Sequence, residues 1–145
     1  MQQALERLIH LTNTIPAILR NIGEARLSEK PSPAKWSKKE IIGHLIDSAT
    51  HNHHRFVRGQ FEDLPEIRYD QDQWNRYSFY QTIDSEQIIA FWTSYNKQLI
   101  EIIQRIPAES LQRQVQAVEK IMTIEALIID YVVHMEHHLK QITDY

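Results

Sequence analysis

Four stretches of the chain place apolar residues three or four positions apart, the spacing of an α-helix that buries one face, and this limits the fold more than any other feature of the sequence. The first stripe is Ala4, Leu8, Leu11, Ile15, Ile18 and Ile22, with Gly23 as its stop. Pro16 lies inside it, and because the stripe continues beyond, a kink is expected there rather than a break. The second helix should begin at Ser37, which forms a Ser-x-x-Glu capping box with Glu40. Its core face is Ile41, Leu45, Ala49 and Phe56, with Ile42 and Asn52 alongside. The third stripe is Ile88, Trp92, Tyr95, Leu99, Ile102 and Ile106, capped by Asp84 or Ser85 and ended by Pro107. The fourth, capped by Thr123, is Ile124, Leu127, Ile128, Tyr131, Met135, Leu139 and Ile142. Four helices of roughly 20 residues, each about 30 Å long, predict an all-α four-helix bundle. A chain of 145 residues is long enough for one such domain, spanning 1–145.

The connections refine this picture. Residues 59–83 separate the second and third helices, far more than the roughly 2 to 8 residues that usually join antiparallel neighbours. A long crossover and an up-down-down-up order are therefore expected. The crossover carries Phe61, Tyr69, Trp74, Tyr77, Phe79 and Tyr80, so it should be ordered. With only 3 Gly, the chain has no Gly-x-Gly-x-x-Gly and no phosphate-cradling loop, which disfavours nucleotide-binding α/β folds. With no Cys it has no thiolate ligand or thiol nucleophile of its own. The 16 Lys and Arg against 19 Asp and Glu leave a net charge of −3, so neither nucleic acid nor an anionic membrane is an expected partner. No apolar run approaches the roughly 20 residues of a membrane span, no signal-peptide pattern opens the chain, and a cytoplasmic location is expected.

Against this scarcity of glycine stand 8 His, seven of them in two clusters: His44, His51, His53 and His54 on the second helix, and His134, His137 and His138 on the fourth. On a helical wheel His134 and His138 lie about 40° apart, inside the arc of Leu127, Tyr131 and Met135, so both interrupt a core stripe. His44, at the edge of the apolar arc, ranks first as their partner, and His51, two turns on, ranks second. His51, His53, His54 and His137 otherwise read as polar-face residues. Two buried imidazoles one turn apart need partners, since an unpaired buried polar group costs on the order of 1 to 3 kcal/mol. A metal would supply one: neutral imidazole suits Zn, Ni, Fe or Cu, and three His leave positions open to water or substrate. The segment His134-Met135-Glu136-His137-His138 lacks the Glu after its first His that a zincin uses as base. No Glu-x-x-His pair occurs on two helices, as a di-iron bundle requires. Asp47 and Glu40 read as supporting or surface groups.

Three segments carry a family resemblance: Trp36-Ser37-Lys38-Lys39-Glu40-Ile41-Ile42-Gly43-His44-Leu45, the loop Tyr69-Asp70-Gln71-Asp72-Gln73-Trp74, and His134-Met135-Glu136-His137-His138-Leu139-Lys140-Gln141-Ile142. Together they resemble the DinB-like superfamily, in particular its YfiT-like branch, over nearly the whole chain. The resemblance implies an up-down-down-up bundle, often a homodimer, with a divalent metal such as Zn, Ni or Fe held by His44, His134 and His138. It also implies a small-molecule substrate. Relatives of this kind include S-transferases that use a low-molecular-weight thiol such as bacillithiol, a mycothiol-dependent isomerase, and proteins assigned as metal-dependent hydrolases. The expected activity is thiol S-transfer, with metal-dependent hydrolysis at the same three His as the first alternative and a non-catalytic dimeric metal-binding bundle as the second. Tyr69 and Trp74 are candidates to line the substrate pocket, or else to plug the end of the bundle.

Overall fold

The computed structural model describes residues 1–117 and 119–145. Its four long helices are α1 (Gln2–Ile22), α3 (Lys38–Arg58), α5 (Ser85–Ile103) and α6 (Ile124–Ile142), matching the four apolar stripes. Each start has a local cause. The Ser37 hydroxyl accepts from Glu40 N at 3.1 Å while the Glu40 carboxylate accepts from Ser37 N at 2.7 Å, completing the expected capping box. Asp84, rather than Ser85, caps α5, and Thr123 caps α6. Helix α1 runs unbroken through Pro16 and stops where Gly23 takes a φ of 81°.

Contacts between the long helices set their directions. Met1 and Arg7 of α1 pair with Glu125 and Glu136 of α6 at 3.4 and 2.7 Å, so these helices are parallel. Arg20, at the far end of α1, meets Glu86 in the first turn of α5 at 2.8 Å, so α1 and α5 are antiparallel. His44, early in α3, meets His138 late in α6, while Phe56 near the end of α3 meets Tyr131, which makes that pair antiparallel. Ser37 bonds Gln81 just ahead of α5 and His53 bonds Tyr95 within it, so α3 and α5 are parallel. The order is up-down-down-up, and the crossover joins the parallel pair as its length requires.

Between α1 and α3 lies the short α2 (Glu24–Ser28). Glu24 pairs with the buried Lys39 and accepts from Ser85 N at 2.9 Å, tying α2 to the starts of α3 and α5. The crossover contains β1 (Glu66–Ile67), α4 (Gln71–Tyr77) and a turn of 3₁₀ helix at Tyr80–Thr82. A small sheet, absent from the helical reading of the sequence, adds β2 (Gln114–Ala117) and β3 (Lys120–Thr123). Strand β1 is parallel to β2 in the register Glu66↔Gln116, and β2 is antiparallel to β3 with Gln114 opposite Thr123. Arg113 donates to the carbonyls of Gly59 and Glu62 at 2.8 and 2.9 Å, fastening this sheet to the end of α3. No helix among the described residues is long and apolar enough to cross a membrane.

A polar relay crosses the core between α5 and α6. Tyr131 Oη donates to Asn96 Oδ1 at 2.6 Å, and Asn96 Nδ2 donates to Trp92 O at 2.8 Å, all three residues being buried. Tyr131→Phe leaves the Asn96 oxygen without its donor and should lower the unfolding free energy by about 1 to 3 kcal/mol. Urea denaturation checks this: a lower midpoint at an unchanged slope is expected, and an unchanged midpoint would assign the bond no net contribution.

Candidate metal centre

Antiparallel packing of α3 on α6 brings the three ranked His together. His44 occupies the buried face of α3, and His134 and His138 follow one turn apart on the stripe of α6. One ligand atom from each lies within 4.8 Å of the other two. His44 Nε2 is 3.3 Å from His134 Nε2, and the His44 ring centre is 4.7 Å from that of His138. His44 is wholly buried, and the other two are half-buried.

Burial decides the charge of the cluster. It pushes His44 down to about 3, with His134 and His138 as like charges adding to the effect. Burial, then His138 and His137, pushes His134 down to about 4. His138 is lowered by burial against the opposing pull of its hydrogen bond to Gln141. All three are therefore neutral imidazoles near pH 7, each with one lone pair to offer.

Their outer nitrogens set where those lone pairs point. Gln141 Nε2 donates to His137 Nε2 at 3.1 Å, which turns Gln141 Oε1 toward His138 Nδ1 at 3.2 Å. An amide oxygen only accepts, so the His138 proton belongs on Nδ1 and its lone pair on Nε2. Ser48 Oγ stands 3.5 Å from His134 Nδ1, where its hydroxyl serves either tautomer. Two Nε2 lone pairs 3.3 Å apart repel unless a cation or a proton lies between them. Two imidazoles on one tetrahedral zinc at about 2.0 to 2.1 Å have nitrogens roughly 3.3 to 3.4 Å apart, so the donor set fits such an ion. His44 Nδ1 is buried without a hydrogen-bond partner, beneath the Trp36 ring at a centroid distance of 5.1 Å.

His51, the second-ranked partner, takes no part in this cluster. Nor is it a polar-face residue: it is buried, stacked on Tyr69 at 3.7 Å with Trp74 edge-on at 4.4 Å, and its Nδ1 donates to Asp47 O at 2.8 Å. The crossover supplies both rings, which explains why the helical wheel alone misplaced it. His53 is also partly covered, with Nδ1 3.1 Å from Tyr95 Oη, whereas His54 and His137 are exposed as expected. Asp47 is buried rather than at the surface. Its Oδ1 accepts from Tyr80 Oη at 2.6 Å, its Oδ2 has no partner, and burial pushes its pKa up to about 6. Tyr80 reaches it by lying flat on Gly43, where a Cβ would fall 2.1 Å from the ring.

The cluster is bordered on two sides. A cleft of about 320 Å³ runs from His134 past Ser48 and Asn52 to Arg55, with Tyr69 and Tyr131 in its walls. Tyr69 thus lines a pocket beside the His, while Trp74 packs on His51. On the other side a groove of about 530 Å³ is lined by Trp36, Lys38, Ile41 and Gln141. Ser48 and Arg55 were not singled out from sequence, although His44, Ser48, Asn52 and Arg55 follow one another at helical spacing as a polar line.

The DinB superfamily profile matches residues 5–142. YfiT of Bacillus subtilis (strain 168) is 24% identical over 146 residues, covering 96% of this chain and 82% of YfiT. A solved structure of YfiT, described as a probable metal-dependent hydrolase with an unusual four-helix bundle topology, superimposes with a TM-score of 0.82 at 22% identity over 98% of this chain and 85% of that one. The DinB-like protein YjoA of Bacillus subtilis superimposes with a TM-score of 0.68 at 18% identity, over 97% of this chain and 86% of YjoA.

Asp47 makes stability depend on pH. Its ordinary value of 3.8 rises to about 6 in the fold, so the folded state is favoured by protonation, fully below 3.8, and that advantage is lost as pH rises through 6. Asp47→Asn should therefore be more stable than the parent above pH 6, by up to about 3 kcal/mol, with the gap closing toward about pH 4. Thermal or urea unfolding across that range checks it, and a difference independent of pH would contradict the buried charge.

Proposed function

The chain belongs to the DinB superfamily, and we propose that it is a metal-dependent enzyme in which His44, His134 and His138 hold one divalent transition metal that activates a low-molecular-weight thiol for S-transfer. The observation that carries this reading is the convergence of three neutral imidazoles from two helices, one ligand atom of each lying within 4.8 Å of the other two. Neutral ligands leave the full double charge on the ion. A cation so held supplies Lewis acidity, lowering the pKa of a coordinated thiol or water until it is a nucleophile at neutral pH.

The residues around the cluster divide the remaining work. Gln141 keeps His138 in the tautomer that presents Nε2, and Ser48 stands beside His134 Nδ1 as an outer partner. Burial of His44 beneath Trp36 keeps water from that side. The cleft on the His134 side and the groove at Gln141 give a thiol and an electrophile separate approaches. With no Cys in the chain, the thiol comes from a small molecule. Its sulfur forms a new bond to an electrophilic carbon, the leaving group departs with the electron pair of the broken bond, and the thiol proton passes to solvent.

Among the described residues, no carboxylate joins the His cluster, and Asp47 is turned to Tyr80. With a metal bound, a thiol would gain its nucleophilic charge without a general base from the chain, whereas activation of water for hydrolysis is commonly assisted by one, which favours thiol transfer. The description attached to YfiT favours hydrolysis, and the same three His would serve it.

Tag-free protein should take up about one first-row divalent metal per chain, measured by elemental analysis after loading with Zn or Ni. His134→Ala should lose that metal by at least tenfold in affinity while His53→Ala retains it; equal behaviour of the two would sink the ligand assignment. Metal-loaded protein should then conjugate small thiols to electrophilic acceptors and leave esters and amides unchanged. Turnover of the esters or amides alone would move the reading to hydrolysis.

A further inference from the structure

Arg55 is the least explained charge in the molecule. It is only 8% exposed, yet its guanidinium is in no ion pair among the described residues. Nη2 donates to the Ile67 carbonyl at 3.1 Å, Nη1 reaches Asn52 Oδ1 at 3.3 Å, and Nε has no partner. Two of its five N–H donors are therefore engaged, both by uncharged oxygens. Burial disfavours its charge, opposed first by Tyr69 and then by Asp130, an exposed carboxylate that acts from beyond ion-pair distance. A buried cation without a partner is costly, and proteins keep one where a ligand supplies the missing charge.

The position of Arg55 says which ligand. It borders the cleft that opens on His134, with Asn52 and Ser48 between them on the same helix. An arginine fork matches a planar carboxylate or a phosphate with two parallel hydrogen bonds, and Asn52, its amide held by Ser48 O at 2.9 Å, braces Nη1 through Oδ1. We propose that Arg55, with Asn52, forms an oxyanion subsite that fixes the acidic group of the substrate while its reacting end lies at His134. The substrate class is then a small acid, carrying a carboxylate or a phosphate at one end. This rests on the metal-centre reading for the reaction, though not for binding of the anion. Asp130, at the rim of the cleft, opposes an incoming anion and so restricts entry to ligands that reach the arginine.

The test uses acetate and inorganic phosphate as separate probes, titrated into metal-stripped protein so that neither can bind through an ion. The guanidinium resonances of Arg55 should shift saturably with at least one probe, and the probe that binds more tightly identifies a carboxylate or a phosphate as the preferred group. Arg55→Gln should weaken that binding at least tenfold, and Asp130→Asn should strengthen it several-fold. A non-saturating shift at Arg55 would overturn the subsite, as would Arg55→Gln binding as the parent does. The wild-type resonance decides the matter even if the variant does not fold. Saturable binding in a protein that takes up no metal would uphold the subsite and sink only the catalytic reading; metal uptake without anion binding would do the reverse.

Discussion

An imidazole withdrawn from water keeps its place only in the neutral state, and His44, wholly buried between α3 and α6, imposes that condition on everything around it. Protonating any one of the three clustered His would set a charge against its neighbours in a poorly solvated seam. The cluster persists as a set of neutral rings, and two Nε2 atoms 3.3 Å apart need a proton or a cation between them. The antiparallel course of α3 against α6, the capping box that sets where α3 begins, and the outer bonds to Ser48 and Gln141 all serve to hold that set in register.

Much of this was legible in sequence because it is local. The stripes from Ala4 to Ile22 and from Ile124 to Ile142 repeat over several turns, and Ser37 with Glu40 announces its helix within four residues. His134 and His138 could be placed because an interrupted core stripe is visible on one helix alone. What stayed hidden depends on partners far away in the chain. The sheet rests on strands of two and four residues, too short for a period to emerge, with the β1–β2 ladder pairing Glu66 with Gln116. His51 is buried by Tyr69 and Trp74, and Arg55 by the Ile67 carbonyl, all brought by the crossover. Asp47 owes its burial to Tyr80, which can approach only because residue 43 is a glycine.

The crossover is thus more than a connection. It begins and ends on the parallel pair α3 and α5, and on the way it lays Tyr69 against His51, Ile67 over Arg55 and Tyr80 beneath Asp47. Of the three polar side chains covered in this way, Arg55 lines the cleft beside His134, and Tyr69 of the crossover forms part of its wall. The helices bring the three His together, and the crossover supplies a wall of the cleft beside them.

The central claim is that three imidazoles, and no other side chain, ligate one metal. X-ray absorption at the zinc edge of zinc-loaded protein tests it most directly. The account predicts scattering from three imidazole rings at about 2.0 to 2.1 Å, completed by a light atom that exchanges when a small thiol is added and a sulfur appears at about 2.3 Å. Fewer than three imidazoles, or a side-chain carboxylate closing the shell, would contradict it.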